Sequence, residues 1–156
     1  MRSPPTVLEH ITVDKYLTSH QVMFAALTPK SAARVYQLFA HLTPQALRSQ
    51  GLPTLSLSGS AMLEALAVLW THHEQLPLLF ALRCVHDAPH SPLDLSLNAL
   101  GRLLHRLRQE GWLVLEPSNT DGRTKLVRPT EQTLRYFGTM GQCMAIAIHQ
   151  EKSRFR

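Results

Sequence analysis

Leucines between Ser96 and Gln109 recur at the spacing of a helix with one apolar side. The apolar positions that fall within a single arc of an α-helix are Leu97, Leu100, Leu103, Leu104 and Leu107. The opposite side carries the polar residues Asn98, Arg102, His105 and Gln109, and Arg106 lies beside them. Because residues three and four positions apart share a helix face, we predict a helix that buries its leucines and exposes guanidinium, imidazole and amide groups.

The residues after this helix predict a hairpin with a basic tip. Gly111 follows the last leucine of the pattern, where a helix end often needs a left-handed residue. Residues 112–115 form an apolar run of strand-forming types, and residues 117–122 are a dense cluster of turn formers. Residues 123–128 alternate polar and apolar types. We therefore expect two short strands joined by a polar turn.

Thr130 is placed to cap a final helix that runs to about Gln150. Pro129 blocks an earlier start, and Glu131 is favourable in the first turn. Apolar residues occur on most sides of this helix. Such a terminal helix usually needs a partner, which either packing within the monomer or a second copy of the chain would supply.

Helix, strand, basic turn, strand and capped helix, in this order, outline a winged helix-turn-helix. Residues 96–140 resemble the MarR family of bacterial transcription regulators, whose recognition helix ends in a leucine, a polar pair and a glycine and whose wing contains an Asp-x-Arg turn. The matching segments are residues 106–111 and 121–130. The resemblance implies a mainly α fold with a small β-hairpin wing, in which N- and C-terminal helices form a homodimer.

The resemblance also implies which residues contact DNA. Arg123 at the wing tip would enter the minor groove, with Asp121 holding its guanidinium or the turn in place. The residues facing the major groove would be Asn98, Ala99, Arg102 and Arg106. Lys125 and Arg128 would neutralise phosphates. The complete set of expected DNA-binding residues is Ser96, Asn98, Ala99, Arg102, His105, Arg106, Asp121, Arg123, Lys125 and Arg128.

Upstream of the winged helix, the pattern predicts further helices. Residues 12–27 and 29–42 have apolar positions at helical spacing, and the pair Thr28-Pro29 separates them as a cap and a first helical residue. The pair Thr43-Pro44 repeats this combination. We therefore expect a separate short helix that ends at Ser49.

The segment before the recognition helix departs from the family pattern. Residues 54–58 fit either a short strand or an extended segment, and residues 60–73 and 76–85 predict two apolar helices. Residues 86–95 contain two prolines, which favour a longer connection over the tight turn usual in the MarR family.

These elements divide the chain into four regions. They are a flexible N-terminal arm (residues 1–11), an N-terminal helical dimerisation region (12–58), a winged-helix DNA-binding region (59–130), and a C-terminal dimerisation helix and tail (131–156).

Positive charge is concentrated on the elements expected to meet DNA. The 156 residues include 16 Lys and Arg and 11 Asp and Glu, a formal net charge of +5. Residues 102–128 hold six basic and three acidic residues. A solvated basic surface would explain this charge alone, but less easily its alignment with a helix face and a wing.

Composition and the N-terminal residues predict where in the cell the protein is found. Apolar residues make up 44% of the chain, which is ordinary for a soluble globular protein, and their runs are far shorter than the roughly 20 residues that span a bilayer. The N-terminal residues show no secretory signal, so we expect a cytoplasmic protein.

Cys84 and Cys143 are expected to be small core residues, with redox sensing as the less favoured interpretation.

No metal, cofactor or catalytic site is expected from the sequence. His72 and His73 are adjacent and point to different helix faces, while His86 and His90 flank a proline without a nearby cysteine pattern. Residues 56–60 do not match the nucleophile elbow of hydrolases, and no glycine-rich phosphate loop follows a strand. An enzyme is therefore the weak alternative.

The sequence favours a homodimeric, MarR-like repressor that binds a near-palindromic operator in duplex DNA. The alternative from another class is a winged-helix module that binds a protein partner and not DNA. The resemblance also permits a small-molecule effector that displaces DNA.

Overall fold

The computed structural model describes residues 28–89, 91 and 93–154, which form a mainly helical protein with one small hairpin. The elements in chain order are α1 (Pro29–Ser49), α2 (Leu57–His72), α3 (Leu78–Asp87), α4 (Leu97–Gln109), β1 (Leu113–Pro117), β2 (Lys125–Pro129) and α5 (Glu131–Ser153). The order of these elements confirms the predicted winged helix-turn-helix. Helices α3 and α4 are joined by a connection, and the hairpin and α5 follow. The predicted arm at residues 1–11 and the helix at 12–27 lie outside the described residues.

The chain is organised in two compact units. Thr54–Leu134 form one unit, which contains α2, α3, α4 and the hairpin. The other combines α1 with most of α5, within the ranges Met1–Pro53 and Arg135–Arg156. The four regions expected from the sequence stay a prediction.

Helix α4 forms the centre of the Thr54–Leu134 unit. Its buried residues are Leu100, Leu103, Leu104 and Leu107, which confirms the predicted apolar face. They lie in the same core as Met62, Leu63, Leu66 and Trp112, which are fully buried. Leu97 does not share this burial, because the first residue of α4 lies at the rim of a cleft beside α3 and leaves 43% of the side chain exposed.

A left-handed glycine ends α4 and directs the chain into the hairpin. Gly111 has a φ of 83°, as its position after the last leucine predicted. The Trp112 N–H donates to the Leu107 carbonyl at 2.9 Å, and the Gly111 N–H donates to the Arg108 carbonyl at 3.1 Å. These bonds satisfy carbonyls that the end of the helix would otherwise leave without partners.

The two strands pair antiparallel and are tied to the helices beside them. The register runs from Leu113 opposite Pro129 to Pro117 opposite Lys125. The Val127 N–H donates to the Leu76 carbonyl at 2.8 Å, and Trp70 Nε1 donates to the Val127 carbonyl at 2.9 Å. The base of the wing is therefore fixed to α2 and to the segment before α3.

Helix α1 continues through Pro44, so the separate helix expected after Thr43 was wrong. A proline removes one helical hydrogen bond and disturbs the preceding turn. Thr43 is nearly buried, and its hydroxyl donates to the Phe39 carbonyl at 2.7 Å. Pro44 leaves the Ala40 carbonyl without its usual helical N–H donor, and the rest of α1 stays helical from Pro29 to Ser49. The predicted cap at Thr28 is confirmed, since its hydroxyl accepts from the Ser31 N–H.

Other boundaries shift by a few residues. Helix α2 begins at Leu57 because the Ser56 side chain caps it, which excludes a strand over residues 54–58. Helix α3 begins after Pro77 and extends to Asp87. The described residues between Ala88 and Ser96 are not helical, which confirms a long connection.

The first turn of α5 is hydrogen-bonded to the end of α4 and the base of the hairpin. Thr130 Oγ1 accepts from the Thr133 N–H at 3.4 Å, as the predicted cap requires, and donates to the Gly111 carbonyl at 2.6 Å. The Thr133 hydroxyl donates to the Trp112 carbonyl, and Gln132 Nε2 donates to the Glu110 carbonyl at 3.2 Å. These bonds join three elements of the wing region.

An ion pair with a buried carboxylate connects α1 and α5 in the second unit. Arg34 Nε donates to Glu151 Oε1 at 2.9 Å, and Glu151 is fully buried. Arg135 also donates to the Gln50 carbonyl at 2.6 Å. Arg34 leaves 32% of its side chain exposed, and Arg154 Nη1 lies 3.9 Å from Glu151 Oε2, so two guanidinium groups accompany this buried carboxylate.

A helix that spans a membrane must be long and predominantly apolar. Among the described residues, no helix combines the length and apolar character needed to cross a bilayer.

Candidate nucleic-acid interface

The outward face of α4 presents basic groups that are not engaged by acids. Asn98, Arg102, His105 and Arg106 are exposed. Within the described chain, no carboxylate forms an ion pair with either arginine. The predicted polar face is therefore open to a ligand with negative charge and hydrogen-bond acceptors.

Ser96 and Ala99 shape the start of this helix. The Ser96 side chain accepts from the Ala99 N–H at 3.2 Å, so it caps α4 and fixes where the basic face begins. Ala99 is half-buried and adds no polar group. Its small size leaves room beside the longer side chains.

The wing tip is built on the carboxylate of Asp121. Its Oδ1 accepts from the Arg123 N–H at 3.0 Å, and its Oδ2 accepts from the Thr124 hydroxyl at 2.9 Å. The sequence resemblance allowed Asp121 to hold either the guanidinium or the turn. The structure shows that it holds the turn, which leaves the exposed Arg123 side chain outside the ion pairs of the described residues.

Two further basic residues lie along β2 in different surroundings. Lys125 is exposed. Arg128 Nε lies 2.7 Å from Glu116 Oε2 on β1, with both side chains about half exposed. Because Glu116 offsets part of the charge of Arg128, Lys125 is the more available partner for an anion.

Sequence reasoning missed one basic residue near this face. Arg83 on α3 is exposed and lines a cleft of about 610 Å³ with Arg102 and His105 of α4. Leu79, Leu82 and Arg83 share one side of α3 by their three- and four-residue spacing, which could have placed Arg83 on a helix surface. Its position beside α4 depends on tertiary packing.

Among the cysteines and histidines that the structure describes, none gives a sign of a second kind of site. Cys143 is buried and Cys84 is half-buried. Burial, followed by the charge of Asp87, raises the pKa of the Cys84 thiol, so the unreactive thiol form dominates at neutral pH. In the part of the chain that the structure describes, no three His, Cys, Asp or Glu residues are grouped to hold a metal ion.

Replacing Gly101 by alanine is expected to stabilise the protein. Gly101 lies in the middle of α4, and an added Cβ would meet no atom within 4 Å. Alanine lowers the cost of ordering a helix interior, so Gly101→Ala should raise the free energy of unfolding by about 1 kcal/mol in urea denaturation. Gly111→Ala is the matched control and should lower it, because Gly111 has a φ of 83°. A loss of stability in Gly101→Ala would contradict the open space at this position.

Comparisons with known proteins gave matches among solved structures. No family model matches the sequence, and no curated protein is similar to it. The chain is similar to reduced AbfR of Staphylococcus epidermidis bound to DNA, with 23% identity over 91% of this chain and 88% of that chain and a TM-score of 0.42. It is also similar to YusO from Bacillus subtilis, with 15% identity, coverage of 91% and 84%, and a TM-score of 0.46.

A third similar structure is a cysteine-to-serine mutant of MarR from E. coli complexed with operator DNA. The identity is 19% over 86% of this chain and 83% of that chain, with a TM-score of 0.45. The assignment of a winged helix rests on the element order and the contacts described above.

Proposed function

We propose that this protein is a sequence-specific regulator of transcription that binds duplex DNA as a homodimer, acting as a repressor. The observation that carries the proposal is the pair of basic elements in the Thr54–Leu134 unit, the outward face of α4 and the tip of the wing. Guanidinium and amide groups on a helix match base edges in the major groove, and a basic hairpin tip suits the minor groove. This function needs no catalysis and no cofactor, and it places the protein in the cytoplasm.

The proposed roles differ among the site residues. Arg102, Arg106 and Asn98 read or anchor in the major groove, with His105 beside them. Arg123 enters the minor groove. Asp121 positions that arginine through the turn, and Ser96 positions α4 through its cap, so neither needs to touch DNA.

Exposed apolar side chains support the homodimer. On α5, Leu134 is 60% exposed and Ile146 is 47% exposed, and on α1 Tyr36 is 67% exposed. Large apolar side chains left in water favour association where they form a contiguous patch. A two-fold dimer would place two winged helices on half-sites about one helical turn apart, which makes the operator a near-palindrome. A small-molecule effector that releases DNA is compatible with this scheme.

Selection from a random duplex pool tests the proposal. The purified chain is incubated with the pool at physiological salt, and bound duplexes are recovered and titrated against salt. Enrichment of a two-fold symmetric site with a steep salt dependence is expected, because phosphate contacts release counterions. Weak binding without enrichment would overturn the proposal.

A protein partner in place of DNA is the second candidate. Leu79 is 70% exposed and Leu97 is 43% exposed beside the basic face, which would also suit an apolar side chain of another protein. Indifference to duplex DNA at low salt would favour this candidate, because an electrostatic DNA interface is strongest there.

Removing the Asp121 carboxylate is expected to weaken duplex binding without unfolding the protein. Asp121→Ala loses two hydrogen bonds that order the wing tip, each of which contributes about 1 kcal/mol. Affinity for the selected duplex should fall roughly threefold to tenfold, measured by fluorescence anisotropy. Asp121→Asn keeps an oxygen for the Arg123 N–H, so its duplex affinity should lie between those of the wild type and Asp121→Ala. Wild-type affinity of Asp121→Ala would show that the ordered turn is not needed.

A further inference from the structure

We propose that Arg83 is a DNA-backbone contact and that the cleft between α3 and α4 holds one sugar–phosphate strand. The proposal rests on the function proposed above, which assigns α4 and the wing but leaves α3 without a role. The cleft is lined by Leu79, Leu82 and Arg83 of α3 and by Leu97, Asn98, Gly101, Arg102 and His105 of α4.

The charge of the cleft suits an anion. Its lining includes two guanidinium groups, from Arg83 and Arg102, together with the imidazole of His105, and none of the lining residues is acidic. A nearby acid on α3, Asp87, contacts His86, with His86 Nδ1 2.8 Å from Asp87 Oδ1. Within the described chain, Arg83 has no ion pair. Its charge is therefore available to an external phosphate.

The apolar part of the lining favours a DNA strand over an isolated ion as the occupant of the cleft. Leu79 is 70% exposed and Leu97 is 43% exposed at the rim, so they offer apolar surface to whatever enters. The backbone of DNA alternates charged phosphates with deoxyribose rings that have apolar faces. Open space above Gly101, where an added Cβ would meet no atom within 4 Å, leaves the floor of the cleft accessible to such a strand.

The position of the cleft relative to the recognition face supports the same occupant. Asn98, Arg102 and His105 lie both on the outward face of α4 and in the cleft wall. When α4 enters the major groove, the strand that borders the groove must pass beside it. In helix-turn-helix proteins the first helix crosses the backbone, and here that helix is α3. Arg83 would therefore set the register of the protein on DNA and not read sequence.

Salt dependence of duplex binding tests this role in the full-length chain. Affinities of wild type, Arg83→Gln and Arg83→Lys are measured over a series of salt concentrations, on the selected duplex and on a random duplex. Arg83→Gln should reduce the slope of log affinity against log salt by about 0.9 for each subunit that makes the contact. Affinities for the two duplexes should fall by the same factor. Arg83→Lys should keep the slope, because an ammonium also pairs with phosphate as a point charge.

A matched control removes one charge elsewhere. Lys30 is exposed at the start of α1, and Lys30→Gln should leave the slope unchanged, which separates a local contact from the effect of net charge. An unchanged slope in Arg83→Gln would overturn the backbone contact. A loss confined to the selected duplex would also overturn it, because Arg83 would then read bases. Failure of the wild type to bind any duplex would instead overturn the proposed function.

Discussion

Replacing Arg123 by alanine is expected to weaken binding to the selected duplex by roughly tenfold to hundredfold. Arg123 is exposed at the tip of the wing, and the nearby carboxylate of Asp121 is engaged by the turn. Its guanidinium is therefore free for the minor groove, where an arginine contact contributes on the order of 1 to 3 kcal/mol. The loss is measured by anisotropy titration at physiological salt.

Folding of Arg123→Ala should be unchanged, since the side chain lies outside the core. Thermal unfolding and sedimentation of the variant should match those of the wild type. Asn119→Ala is a matched control, because Asn119 is also exposed near the tip but carries no charge. If Arg123→Ala binds the duplex as tightly as Asn119→Ala, the wing does not enter the groove.

Replacing Leu103 by alanine is expected to destabilise the protein by about 2 to 5 kcal/mol. Leu103 is 5% exposed on the inner face of α4. Truncation removes buried methyl groups and leaves a cavity that the surrounding core fills only in part. Urea denaturation followed by circular dichroism gives the free energy of unfolding. Small proteins have a free energy of unfolding of about 5 to 15 kcal/mol, so this loss is a large part of the total, and duplex binding should weaken as the unfolded fraction grows.

Leu97→Ala on the same helix is the control for Leu103→Ala. Both substitutions exchange leucine for alanine in α4, but Leu97 is 43% exposed and contributes little to the core. Its effect on unfolding should stay below about 1 kcal/mol. Equal losses in the two variants would contradict the orientation of α4, and with it the assignment of the basic face to solvent.

The sequence predicted those parts of the fold that depend on local patterns. The leucine spacing identified the buried face of α4, and Gly111 and Thr130 marked where one helix ends and the next begins. Periodicity and capping report backbone preferences within a few residues, so they locate elements well. They failed at Leu97, because whether the first turn of a helix is covered depends on what packs beside it.

The rest depended on contacts between distant residues. Pro44 predicted a helix boundary, but α1 runs through it without a break, since a long helix tolerates the loss of one hydrogen bond. Likewise, the pairing of Arg128 with Glu116 follows from strand register, which a sequence does not state. For the candidate site, spacing placed the outward residues of α4, whereas the chemical role of Asp121 required the geometry of the turn.

Hydrogen bonds within the wing tip set it apart from the rest of the hairpin. Each hydrogen bond that the structure shows for the tip joins two of residues 118–124, including Ser118 to Thr124 and Thr124 to Asp121. The tip is thus a self-contained loop on a hairpin whose base is anchored separately by Trp70 and Leu76. Under the proposed function, we expect that a graft of residues 118–124 from another wing changes the groove contact while the core keeps its structure.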